Sequence, residues 1–175
     1  MNTSARPDRS TLPPPAAVQQ LHHYAYKARD AEETRHFYED ILGLPLYHII
    51  QSDYVPSTGE YCPYTHFFFR LKDGSFIAFF DIGDDEKALP SPNTPLWINH
   101  IAFRVDTVEE LENTKARLVA HGIEVLGVTD HHIFKSIYFF DPNGIRLELS
   151  AQLADEVQMA RESTTAHARL NEWTA

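Results

Sequence analysis

The chain carries two copies of one pattern, and that duplication limits the folds open to it more than any other feature. The stretch "LHHYAYKARDAEE" (21–33) lies over "INHIAFRVDTVEE" (98–110). In that overlay His23 meets His100, Ala25 meets Ala102, and Glu32 and Glu33 meet Glu109 and Glu110. A second block, "FFFRLKDGSFIAFF" (67–80), lies over "IYFFDPNGIRLELS" (137–150), with Gly74 on Gly144. The first copy has the longer middle, in the irregular stretch "SDYVPSTGEYCPY" (52–64).

Each copy predicts the same elements. Period-two patterning gives a strand at about 21–28 and another at about 98–105. An amphipathic helix follows, over 31–43 and over 108–122, with Gly43 and Gly122 as stops. Three strands close each copy: 45–52, 65–72 and 75–81, then 124–129, 135–141 and 145–150. The turns "KDG" (72–74) and "DPNG" (141–144) join the last two strands of each. The expected fold class is α+β: two tandem βαβββ modules that pair their sheets into a cleft-forming, incomplete barrel. Module one covers 20–82 and module two 97–151 of a single domain, 20–151. Residues 1–19, with four prolines and few large apolar side chains, read as a disordered arm. Residues 152–175 read as a C-terminal helix, over 152–172, and a tail.

Strand alternation then sorts side chains between faces. His100, Ala102 and Arg104 face the cleft, while Ile101 and Phe103 pack on the helix. His23 faces the cleft, while His22, Tyr24 and Tyr26 take the helix side. In the last strand Arg146, Glu148 and Ser150 face the cleft, and the repeat partner of Glu148 is Ala78. A carboxylate at mid-strand is costly to bury without a partner. His23, His100 and Glu148 thus make a two-imidazole, one-carboxylate donor set suited to Fe(II) with open positions. Mn(II) or another divalent ion is the alternative. A metal-free reading pairs Glu148 with Arg104 or Arg146 instead.

The charge balance narrows the partners. A formal net charge of −10 argues against nucleic acid and against an anionic membrane surface. The single cysteine, Cys62, rules out a disulfide framework and fits the cytoplasm. The arm lacks the apolar core of a secretory signal, and no apolar run is long enough to span a bilayer. The expected partner is a small molecule.

At this point "HHYAY", "FYEDILGLPL", "NHIAF" and "SIYFFDPNGIRLEL" resemble the vicinal-oxygen-chelate superfamily, over about residues 20–151. That superfamily includes glyoxalases, extradiol dioxygenases, fosfomycin-resistance transferases, epimerases and antibiotic-binding proteins. Its metal-binding glyoxalases usually keep a fourth ligand where Ala78 stands. Its extradiol dioxygenases have a small residue there, and a tyrosine ten residues before the glutamate, the place of Tyr138. The chain is most similar to the small extradiol-type enzymes. The resemblance implies Fe(II)-dependent cleavage of a catechol-like aromatic substrate by O2, in a homodimer. Phe68, Phe76, Phe80 and Phe140 are the expected substrate lining. Extradiol enzymes carry a catalytic histidine near the place of Ser75, where this chain has none. His66, or His131 or His132 in "DHHIFKS" (130–136), is expected to do that acid–base work beside Tyr138. The alternatives are a glyoxalase, an epimerase, a Mn(II) thiol transferase, or a metal-free module that binds an aromatic compound.

Overall fold

Asp30 accepts a hydrogen bond from the backbone of Glu33 and so starts the first helix, and Thr107 and Glu110 start the second with a reciprocal capping box. In the computed structural model these helices are α1 (Ala31–Arg35), prolonged by a wider π-helical stretch (His36–Ile41), and α2 (Val108–Ala120). The structure describes residues 13–14 and 16–174, so most of the arm expected at 1–19 lies outside the described residues. Module one has β1 (His23–Lys27), β2 (Leu46–Tyr54), β3 (Tyr61–Arg70) and β4 (Phe76–Asp81). Module two has β5 (Ile101–Val105), β6 (Leu126–Asp130), β7 (Phe134–Phe140) and β8 (Arg146–Gln152), followed by α3 (Glu156–Thr174). The strand orders are β1-β4-β3-β2 and β5-β8-β7-β6, with β1 parallel to β4 and β5 parallel to β8. The two modules are therefore the expected βαβββ units. Gly74 and Gly144 occupy equivalent turns with φ of 89° and 84°, a backbone region that favours glycine.

Boundaries differ from the sequence expectation at several places, three of which bear on the site. The hairpin of β2 and β3 runs through most of the stretch read as irregular, leaving Val55–Glu60 as its turn, bridged by Val55 and Glu60. β8 continues to Gln152, so α3 starts later than expected. His22 precedes β1, so strand alternation does not fix its direction. Its ring lies beside His23 and Phe76 instead of turning to the helix side.

The modules meet through their helix-covered faces. Tyr38 packs on Phe69 and Phe79 of the first sheet, with ring centroids 5.2 and 4.9 Å apart. Phe37, its neighbour, reaches Phe139 of the second sheet at 6.3 Å. One apolar core holds Phe67, Phe69, Ile77 and Phe79 together with Ile137, Phe139, Leu147 and Leu149. All eight belong to the helix-facing sets, so the opposite faces of the two sheets turn outward from that shared core.

A buried polar cluster fixes the joint. The Tyr38 hydroxyl donates to Oδ2 of Asp141 at 3.0 Å, from module one to the β7–β8 turn of module two. The other Asp141 oxygen accepts the Ile145 amide at 2.7 Å. Asn143 donates to Thr34 Oγ1 and accepts from the Arg29 amide. Arg117 on α2 donates to the carbonyls of Ile41 and Asp40. Burial pushes the Asp141 carboxyl up to about 6, outweighing the donors from Ile145, Tyr38 and Asn143.

Two outcomes follow from this joint. Tyr38→Phe leaves a buried carboxylate short of a donor and should cost about 1–3 kcal/mol of stability, read from urea or thermal melts. In the unfolded chain Asp141 ionises near 3.8, and in the folded chain near 6. The folded state therefore holds its proton longer, and stability is lost as pH rises between those values. Relative to Asp141→Asn, the natural chain should lose on the order of 3 kcal/mol from pH 3.5 to pH 7, most of it by pH 6. A stability difference that stays flat over that range would contradict the assignment.

Candidate metal centre

Glu148 sits in the middle of β8, opposite Ala102 on one side and Tyr138 on the other. It is 4% exposed, yet it is fully partnered. Ser136 and Ser150 both donate to its Oε1. Its Oε2 stands 2.9 Å from His100 Nε2. Burial would raise the Glu148 carboxyl, but hydrogen bonds from Ser136 and Ser150 and the nearby His100 hold it below the usual carboxylate range. The pairing with Arg104 or Arg146 that a metal-free reading calls for is not seen. Arg146 donates to the Trp97 carbonyl and lies over the Tyr138 ring at 4.3 Å.

His100 lies one residue before β5, so a hydrogen bond rather than strand pleating orients it. Its Nδ1 is 2.9 Å from the Ile98 carbonyl, which can only accept, so Nδ1 carries the proton. In the neutral ring Nε2 is then a bare lone pair aimed at a carboxylate oxygen. Two acceptors at 2.9 Å need a cation or a proton between them. Two donors each about 2.1 Å from one cation, set at right angles, stand about 3 Å apart. The donor types, their spacing and the fixed tautomer therefore fit a divalent metal ion.

The third expected ligand is elsewhere in the chain. His23 opens β1, on the outward face of the first sheet, in register with Phe76. Its ring neighbours are His22, His66 and Phe68. Among the described residues no cluster of three or more His, Cys, Asp or Glu side chains forms a complete metal site. One chain thus brings His100 and Glu148 together and leaves His23 apart.

The other expected site residues divide along the same line. Around His23 the first sheet carries His66, Phe68, Phe76, Ala78 and Phe80 on its outward face. His66 is buried, stacks on Phe80 with centroids 3.6 Å apart, and donates from Nδ1 to the Phe79 carbonyl at 2.9 Å. Burial lowers its pKa, so it is neutral with Nε2 free. His48, on β2, lies against Phe68 and adds an imidazole that the sequence reading did not single out. Its pairing with Phe68 across the β2–β3 hairpin is the signal that reveals it. On the second sheet His131 Nε2 and the Tyr138 hydroxyl are hydrogen-bonded at 2.8 Å. Burial and the Glu148 charge push the Tyr138 phenol up. His132 is exposed at a positive-φ turn and touches none of these groups. Phe140 ends β7, beside a cavity lined by Tyr24, Tyr26, His100 and Arg146, away from the other three phenylalanines.

Residues 20–149 match the family described as the Glyoxalase/Bleomycin resistance protein/Dioxygenase superfamily. A metallothiol transferase, FosB, of Staphylococcus saprophyticus is 28% identical over 159 residues, covering 89% of this chain and 92% of that protein. MhqA of Bacillus subtilis, which bears the name of a ring-cleaving dioxygenase, is 40% identical over 53 residues. That match covers 30% of this chain and 17% of MhqA. The crystal structure of FosX, a fosfomycin resistance protein of Listeria monocytogenes complexed with Mn(II), superposes with a TM-score of 0.55 at 23% identity, over 78% of this chain and 95% of that one.

Glu148→Gln keeps the shape and hydrogen bonds of the carboxylate but removes its charge. Metal content of the purified protein should fall by at least about tenfold, with the melting temperature of the metal-free form little changed. His23→Ala should lose metal as well, while His22→Ala keeps it. Equal metal content in all four proteins, by elemental analysis, would remove these residues from the centre.

Proposed function

We propose, from the premise that the chain belongs to the Glyoxalase/Bleomycin resistance protein/Dioxygenase superfamily, that it is a divalent-metal enzyme whose centre is completed between two copies. His100 and Glu148 of one copy and His23 of a second would hold the ion. The observation that carries this reading is the 2.9 Å pair of His100 Nε2 and Glu148 Oε2, two acceptors with a fixed tautomer behind them. The outward direction of both cleft faces supports the second half of the reading, because each face is turned away from the core that the two modules share.

The finer reading is extradiol-type cleavage of a catechol-like ring, with Fe(II) as the ion. When bound, the ion would act as a Lewis acid toward two vicinal oxygens of the substrate and as the redox centre toward O2. The side chains have separate tasks. Phe68, Phe76 and Phe80 offer a planar apolar wall beside His23. His66, neutral and with Nε2 free, is suited to take a proton from a substrate hydroxyl. Tyr138, tied to His131, is suited to donate to a developing oxyanion beside Glu148. Ala78 leaves open the place that a fourth ligand would fill.

A second reading is thiol transfer to an electrophilic small molecule. It is favoured by the FosB likeness, which extends over most of both chains. Arg104, exposed on the outward face beside Ser150, would meet an anionic substrate.

Elemental analysis of protein purified without chelator, then oxygen uptake with a panel of catechols, separates these readings. Uptake that requires Fe(II) supports ring cleavage. A loaded protein that consumes thiol and no oxygen supports transfer, and a protein that holds no metal rejects both. Completion between copies has its own test. His23→Ala and Glu148→Gln chains, each deficient alone, should regain about a quarter of the natural metal sites when unfolded together and refolded, because half of the random dimers hold one intact site. No recovery on mixing would place all three ligands in one chain.

A further inference from the structure

α3 runs for 19 residues and buries none of them. A helix of that length gains little stability from its own hydrogen bonds and depends on packing. Met159, Ser163, Ala166, Leu170 and Trp173 recur at steps of four and three and fall on one side. Met159 is 41%, Leu170 58% and Trp173 88% exposed, so the stripe is bare in the single chain.

The two ends of the stripe are equidistant from its middle. Ala166 is the midpoint between Met159 and Trp173, and the small Ser163 and Ala166 permit close approach there. Glu162 and Arg169 flank the stripe on one edge and pair with each other at 2.9 Å. If a second copy of the helix ran parallel, the two-fold would put the Glu162–Arg169 edges of the two copies on opposite sides of the seam, where these charges do not meet. Run antiparallel, the two edges lie on one side of the seam, Glu162 of each copy comes within one residue of level with Arg169 of the other, and Met159 meets Trp173 at both ends. The charge pattern therefore selects an antiparallel copy of the same helix. At its root α3 is tied to the outward face of the second sheet, where Gln152 Nε2 contacts Met159 Sδ at 3.3 Å. That is the side from which a second copy has to approach if the metal centre is shared.

We propose that α3 is a self-complementary dimer clasp, pairing antiparallel with α3 of a second copy about a two-fold axis at Ala166. The pairing needs no metal, so the test separates it from the reading of the metal centre.

In a Cys62→Ser background, Ala166→Cys should cross-link to a dimer under mild oxidation, and Thr164→Cys, on the opposite side of the helix, should not. In sedimentation, the natural chain should run at twice its 20.0 kDa mass. Leu170→Glu with Trp173→Glu should raise the dimer dissociation constant by at least about tenfold, with the circular dichroism spectrum of a folded chain. Cross-linking that is equal at positions 164 and 166, or a double variant with unchanged dimerisation, would overturn the clasp. If that double variant also keeps its metal, the shared centre stands without the clasp. A natural chain that stays monomeric overturns both. Metal loss in His23→Ala without any change in cross-linking at Ala166→Cys leaves the two proposals independently supported.

Discussion

The Asp141 carboxyl is buried where the two modules meet, and it takes the Tyr38 hydroxyl from one module and the Ile145 amide from its own. A buried carboxylate left without donors is strongly disfavoured, so this contact sets the relative placement of the modules more sharply than apolar packing can. Apolar surfaces tolerate sliding, whereas the directional Tyr38 hydrogen bond to a carboxyl that its own turn holds in place does not. Asn143 and Arg117 reinforce the same joint from the turn and from α2. The result is that both helix-covered faces close on one core and both cleft faces open outward.

The repeat is unequal where chemistry is concerned. Ala78 and Glu148 are partners in the duplication, and one position is a bare methyl while the other is a carboxylate held by two serines. Phe68 and Tyr138 are partners as well, and so are His66 and Ser136. One sheet therefore presents aromatic rings and imidazoles, and the other presents a hydrogen-bonded carboxylate and imidazole pair. A substrate held between two such faces would meet a wall on one side and a polarising group on the other, a division that one sheet alone does not supply.

Much of this was legible in the sequence because it is repeated. Overlaying the copies located the elements of both modules, and strand parity put Glu148 and Tyr138 on one face. What parity did not reach lies at strand ends. His22 and His100 both precede their strands, and their rings are directed by hydrogen bonds to His23 and to the Ile98 carbonyl. The joint was illegible for a different reason. "DPNG" reads as a turn, and its local pattern says nothing of Tyr38, 103 residues away in sequence. The same holds for the way the modules meet: amphipathic helices and alternating strands specify which faces are apolar, not which apolar face covers which. His48 was hidden inside a strand whose pairing with β3 is not written in its own residues.

The position of α1 between the sheets bears on how two centres would behave together. In a dimer of the proposed kind, each chain lends His23 to one centre and His100 with Glu148 to the other. The material that joins those half-centres within a chain is the core around Tyr38, Phe37 and Phe139. Close-packed interiors switch between arrangements more readily than they stretch. A tilt of one sheet when its centre fills would thus pass through the helix as a rigid rotation of the neighbouring module. The two centres would then share a mechanical axle, and filling the first would set the aperture of the second.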